Sequence, residues 1–109
     1  MIRLPLVAIC VPTYKRPEFL RDLLESMGSI VLDGFRAHLI VVDNDAEESA
    51  RPVVESLKPR YPIPVDYVVE PSRGIASARN RSIREASRLG ADYVSFVDDD
   101  QIVEPSWLA

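Results

Sequence analysis

The chain has 109 residues, room for one domain and not for two. Hydrophobic residues make up 47% and charged residues 28%, the balance of a folded globular chain and not of a disordered one. A formal net charge of −4 argues against nucleic acid as a partner, because proteins that bind a phosphate backbone carry clustered positive charge.

The first element is an apolar run, Leu6–Val11, that ends in Pro12-Thr13-Tyr14-Lys15. It is too short for a signal-peptide core, and no other run approaches the ~20 residues that span a bilayer. Cys10 lies within it and is the single cysteine, so no internal disulfide can form. It reads as a small buried hydrophobe in a reducing compartment. The expected location is the cytoplasm, with any membrane association belonging to a longer parent protein. A helical stripe follows, Phe19, Leu20, Leu23, Leu24 and Met27, with Pro17 suited to its first turn and Gly28 to its end.

A second apolar run, Leu39–Val42, leads into Asp43-Asn44-Asp45. Val53, Val54 and Leu57 then predict a short helix stopped by Pro59, and 59–64 reads as a loop. The third run, Val65–Val69, leads into Glu70-Pro71-Ser72-Arg73-Gly74. Ile75, Ala78, Ser82, Ile83, Ala86 and Leu89 predict a third helix closed by Gly90. The fourth run, Tyr93–Val97, leads into Asp98-Asp99-Asp100.

Runs of five or six residues rich in Val and Ile, apolar on both faces, are the pattern of buried parallel strands. Strand and helix alternate throughout, which predicts an α/β fold with an open, mainly parallel sheet and helices on both faces. Parallel strands all point the same way, so the four polar clusters fall on one carboxyl edge. That edge is where open α/β sheets bind ligands.

Each cluster there has a chemistry. Three adjacent carboxylates repel one another unless water or a cation screens them, and a hard divalent cation takes oxygen ligands from one or two carboxylates plus substrate phosphates. Alternation along an extended segment sets Asp98 and Asp100 on one side and Asp99 on the other, so the first and third form the predicted metal arm; the same triplet also suits a solvated acidic turn capping the segment around Ile102–Ala109. At Asp43-Asn44-Asp45 a carboxylate can accept from a nucleobase imide or a ribose hydroxyl, and the same residues also suit an Asx turn. Pro12–Pro17 presents backbone N–H groups at a helix start, a place for anions, and Tyr14 can pack against a base. Neither G-x-G-x-x-G nor G-x-x-x-x-G-K-[ST] occurs, which removes the dinucleotide and P-loop readings. Arg73 or Arg79 can reach a diphosphate or balance the aspartates, whereas Arg81, Arg84 and Arg88 recur at helical spacing as a solvated face. His38 shows no partner in the sequence, and Trp107 no role.

Taken together, these segments resemble family 2 glycosyltransferases of the GT-A fold. Val7-Ala8-Ile9-Cys10-Val11-Pro12-Thr13-Tyr14-Lys15-Arg16-Pro17 is similar to their opening strand and turn, and Ile40-Val41-Val42-Asp43-Asn44-Asp45 to their second strand. Gly74-Ile75-Ala76-Ser77-Ala78-Arg79-Asn80 resembles their third-helix motif, and Phe96-Val97-Asp98-Asp99-Asp100 their D-x-D metal motif. The resemblance runs from about Leu6 onward, in the family's order and intervals. It implies that Pro12, Thr13 and Tyr14 line a nucleotide pocket, that Asp43 binds the base with Arg73 nearby, and that Asp98 faces the ribose or the metal. Asp100 would ligate a Mg²⁺ or Mn²⁺ ion bridging the diphosphate. The implied reaction transfers a sugar, with inversion, from a nucleotide-diphosphate sugar (a UDP-sugar before others) to a hydroxyl acceptor.

In that family the catalytic base and acceptor site come from a C-terminal half, and no candidate base follows Glu104. The resemblance therefore implies that residues 1–109 form a donor-binding half domain, with the catalytic residue unassigned. It also implies strand order 3-2-1-4, leaving the fourth strand as an open edge, a template for self-association. Three other readings compete. A sugar nucleotidyltransferase, a related sheet with different chemistry, needs a Gly-rich, basic loop after the first strand, which Pro12–Pro17 does not provide. A receiver-type signalling domain needs an acidic pair after the first strand, where this chain has Pro12-Thr13, and a fifth strand ending in lysine. A non-catalytic nucleotide-binding or assembly module needs nothing that the chain lacks.

Overall fold

The computed structural model describes residues 3–108, so the outermost residues of the expected 1–109 domain lie outside it. Four strands, β1 (Leu6–Thr13), β2 (Arg36–Asp43), β3 (Val65–Val69) and β4 (Tyr93–Phe96), form one sheet in the order β3-β2-β1-β4. Every pairing is parallel: β1 lies against β2 from Leu6↔Arg36 to Thr13↔Asp43, and against β4 from Val7↔Tyr93 to Cys10↔Phe96. β2 pairs with β3 from Leu39↔Val65 to Asp43↔Val69. The expected order 3-2-1-4 is the observed one.

Three helices cross between the strands: α1 (Pro17–Met27), α2 (Arg51–Leu57) and α3 (Ile75–Leu89). Side-chain alternation on β1 and β2 divides the core into two layers. Val7, Ile9, Val11, Leu39 and Val41 face α1 and α2, meeting Leu20, Leu23, Leu24, Met27, Val53 and Val54. Ala8, Cys10, Ile40 and Val42 face α3 through Ala78 and Ala86. Small residues on both sides let α3 lie close to the sheet. Cys10 is fully buried there, and burial pushes its thiol up from 9.0 to about 11, so it is an inert packing residue, as the sequence implies.

The strands differ from expectation in length and exposure. β1 runs on through Pro12 and Thr13, while β2 begins three residues earlier than Leu39. β4 stops at Phe96 and is not buried on both sides: Tyr93 is 64% exposed and Val94 42%. It is an edge strand with β1 as its one neighbour. The α3 stripe is likewise narrower than the sequence suggests. Ile75 and Ile83 are exposed, whereas Ala78, Ser82 and Ala86 are buried as expected and Glu85, outside the expected stripe, is buried beside them. Phe19 of α1 also points to solvent.

Pro59 does not stop α2 cleanly. The chain continues as a single 3₁₀ turn over 58–60, after which Ile63 enters the core and the Tyr61 hydroxyl donates to the Leu24 carbonyl at 2.6 Å. Trp107 also has a packing role that the sequence did not reveal: with Val103 and Leu108 it lies against the α1 side of the core. Among the described residues, no helix is long and apolar enough to cross a membrane.

Candidate functional site

A cavity of about 540 Å³ opens at the carboxyl edge of the sheet, within the range of small-molecule sites. β1 supplies Pro12 and Thr13 and the turn after it Tyr14 and Arg16. The β2 end supplies Asn44, and the segment into α3 supplies Arg73, Gly74, Ile75, Ala78 and Arg79. The β4 end adds Phe96 and the three aspartates. All of the expected site residues except Asp43 line this cavity.

The aspartates divide by side, as alternation predicts. Asp99 is buried and accepts from the Thr13 hydroxyl at 2.9 Å, while Asp98 and Asp100 are exposed on the cavity. The turn that carries them is closed by the Gln101 side chain, whose Oε1 accepts from the Asp98 amide at 3.0 Å. Arg16 reaches the same cluster. Lys15 before it takes a left-handed conformation (φ 52°), and the Arg16 guanidinium then stands 3.5 Å from Asp99 and 3.7 Å from Asp100.

Across the cavity the Arg73 guanidinium lies 3.7 Å from the centre of the Tyr14 ring and donates to its hydroxyl at 2.6 Å. Arg79 lies over Phe96 at 4.7 Å. Both are cation–aromatic pairs that set aromatic rings and positive charge beside the carboxylates. Gly74, the N-cap of α3, has φ 129°, a conformation that excludes side-chain-bearing residues. No side chain caps α3, so its N-terminal amides and dipole are free to act on an anion.

Asn44 is the residue whose importance sequence reasoning missed. Its amide donates to the carbonyls of Glu70 and Ser72 at 2.8 and 2.9 Å, and its carbonyl accepts from the Gly74 amide at 3.0 Å. One side chain thus pins the whole β3–α3 loop. The signal was an amide between two carboxylates at a strand end, a residue able to donate and accept at once.

Asp43 lies beneath the cavity, fully buried and not part of its lining. Its carboxylate accepts from the amides of Asp45 and Ala50, each at 3.0 Å, and from the Tyr67 hydroxyl at 2.6 Å. Burial above all, with the Asp43 hydrogen bond, pushes the Tyr67 phenol far up, so it remains a donor. The base contact that the resemblance implies for Asp43 therefore falls on a carboxylate already holding three donors.

The remaining charged residues serve the fold. Arg81 bonds to Glu85 at 3.0 Å and to the Val69 carbonyl at 3.0 Å, and reaches Glu70 at 3.5 Å. Arg84 and Arg88 approach Glu70 and Glu85. They hold two nearly buried carboxylates rather than forming a purely solvated face. His38 has a partner after all, its Nε2 standing 3.0 Å from Asp66 though off the line of a hydrogen bond.

The family model for glycosyl transferase family 2 matches residues 8–109. The chain belongs to this family. It is 39% identical over 102 residues to the succinoglycan biosynthesis protein ExoM of Rhizobium meliloti, covering 94% of this chain and 32% of that protein. Among solved structures it is similar to Staphylococcus aureus TarS 1-349 in complex with UDP, with a TM-score of 0.78 at 21% identity over 94% of this chain and 29% of that one. The mannosyltransferase PcManGT of Pyrobaculum calidifontis, in complex with GDP-Man and Mn²⁺, gives a TM-score of 0.75 at 25% identity, covering 98% of this chain and 30% of that one. The chain spans about a third, or less, of the length of the curated relatives it matches. With family membership the receiver-domain reading falls.

Proposed function

We propose that this family 2 chain carries the donor site of a glycosyltransferase. The enzyme moves a sugar from a nucleotide-diphosphate sugar to a hydroxyl acceptor, with inversion at the anomeric carbon. The carrying observation is that the three aspartates meet at one cavity, Asp98 and Asp100 exposed on it and Asp99 buried in its wall and held by Thr13. Tyr14 and Arg73 offer the flat surface for a base. Arg79 and the uncapped start of α3 offer positive charge to a diphosphate. Asp43 supports the site from below. Residues 1–109 form the donor half, and the catalytic base is unassigned. UDP is the first nucleotide to try, on the family resemblance; TarS was solved with UDP and PcManGT with GDP-Man.

The donor set suits a divalent ion shared with substrate. Among the described residues no group of three or more His, Cys, Asp or Glu side chains can hold an ion by itself. Two open carboxylates match Mg²⁺ or Mn²⁺, which complete their shells with phosphate and water. PcManGT is similar in fold and was solved with Mn²⁺. Asp98 and Asp100 would hold the ion, which would supply Lewis-acid stabilisation of the departing diphosphate. The chain's own residues grip and orient: Asp99 and Thr13 fix the aspartate turn, and Asn44 fixes the loop that carries Arg73.

Calorimetric titration of UDP, GDP and dTDP with Mn²⁺ or EDTA tests this reading. One nucleotide should bind with metal present and weaken about tenfold or more in Asp100→Asn, a loss of roughly 1.4 kcal/mol or more. Binding of all three that is indifferent to metal and to the mutation would contradict the metal-dependent donor site.

A further inference from the structure

Arg16 has no role in the site just described, yet it occupies part of it. Its guanidinium is the positive group nearest the aspartate turn, 3.5 Å from Asp99 and 3.7 Å from Asp100, and it lines the cavity. These two contacts differ in kind. Asp99 is buried and already held by Thr13 at 2.9 Å, so its place does not depend on Arg16. Asp100 is about half exposed and has no other ion-pair partner among the described residues. The Arg16 side chain is itself 51% exposed, its one hydrogen bond among the described residues is the long contact to Asp99, and it is free to swing into solvent or along the Phe19 ring 5.9 Å away.

We propose that Arg16 is a tethered counter-cation that a divalent ion must displace from Asp100. The inference rests on the donor-site reading, and it adds an order to it. Before ligand binds, Arg16 neutralises one of the two open carboxylates, so a free divalent ion meets a half-occupied site and a positive charge beside it. An incoming diphosphate offers Arg16 a better partner, because a guanidinium pairs with phosphate oxygens in a fork. Drawing Arg16 onto the diphosphate releases Asp100 to the ion. Metal and nucleotide then strengthen each other's binding by the same factor, as linkage requires, and the site stays poorly metallated until donor arrives.

The sign of the expected effect separates this role from a structural one. Losing a structural arginine weakens a site, whereas losing a competitor tightens it. An exposed ion pair is a weak competitor, and the repulsion of a dication by the guanidinium adds to its effect. Arg16→Gln should therefore bind Mn²⁺ alone about fivefold more tightly than the unmodified chain, read from the free-ion signal in electron paramagnetic resonance. Lys15→Gln removes the same charge one residue away, from a side chain that lies over Tyr14 and outside the cavity lining; it should change Mn²⁺ affinity by less than about twofold, by long-range charge alone. Circular dichroism confirms that each variant is folded.

Unchanged or weaker Mn²⁺ binding in Arg16→Gln, or an equal gain in Lys15→Gln, would overturn the proposal. Repeating the titration with UDP, GDP and dTDP tests the donor-site reading separately. If neither the unmodified chain nor either variant binds any of the three while Arg16→Gln still gains Mn²⁺ affinity, the displacement at Asp100 stands and the nucleotide reading falls.

Discussion

Asp43 and Asp99 are aspartates whose carboxylates work inward, and their cost of burial is met by donors placed around them. Asp43 holds the amides of Asp45 and Ala50 and the hydroxyl of Tyr67. Hydrogen bonds to a charged acceptor contribute about 1.5–3 kcal/mol each, and a buried donor left without an acceptor costs about 1–3 kcal/mol. Asp43→Ala should thus lower the unfolding free energy by about 3 kcal/mol or more in urea denaturation, and Tyr67→Phe by about 1.5 kcal/mol. A fully stable Asp43→Ala variant would mean that the three donors find other partners and that the carboxylate is free to serve a ligand. From the sequence, Asp43 was an aspartate at a strand end, equally suited to a base or to a turn. Its direction depends on Tyr67, which lies 24 residues away and comes beside it through the β2–β3 pairing.

At the scale of elements, the legible features were those set by local pattern. Val65–Val69 begins and ends where its apolar run does, and Gly90 closes α3 in the left-handed conformation (φ 74°) that glycine favours. Asp98 and Asp100 are exposed and Asp99 is buried, the division that alternation predicts, although the three lie in a turn closed by the Gln101 amide on the Asp98 carbonyl and not in the strand itself. What could not be read was exposure, since periodicity gives a face without saying what covers it. β4 looked like a buried strand from Tyr93–Val97, but its place at the sheet edge leaves Tyr93 and Val94 open. On α3, Arg81 and Arg88 draw Glu85 into a buried position while Ile83 faces outward.

The β4 edge carries the proposal of self-association. A strand with one open edge and exposed apolar side chains is a template for another strand. Light scattering should report a mass above that of one chain at high concentration. Val94→Lys, which places a charge on that edge, should restore the single-chain mass. A single-chain mass for the unmodified protein throughout a wide concentration range would refute association through β4.

For the whole molecule, topology turns scattered motifs into a site. Order β3-β2-β1-β4 with every strand parallel brings Thr13, Asn44 and the aspartate turn to one edge, although they are spread over most of the chain. The fold was legible because strand–helix alternation admits few arrangements, and the candidate site because each apolar run ended in a polar cluster. Asn44 and Arg16 escaped notice because their roles are long-range: one reaches the loop 26 to 30 residues onward, the other the aspartates 83 and 84 residues onward. Neither distance has a local signature.

The most direct test of the account is to map amide chemical shifts by NMR as Mg²⁺ and each of UDP, GDP and dTDP in turn are added to the isotope-labelled chain. The donor-site account predicts that the shifts gather at Thr13, Tyr14, Asn44, Arg73–Ile75 and Asp98–Asp100, and fade when Mg²⁺ is withheld. Shifts that gather instead at the opposite edge of the sheet, around Leu4, Arg36 and Asp92, or a folded chain that shows none, would contradict it.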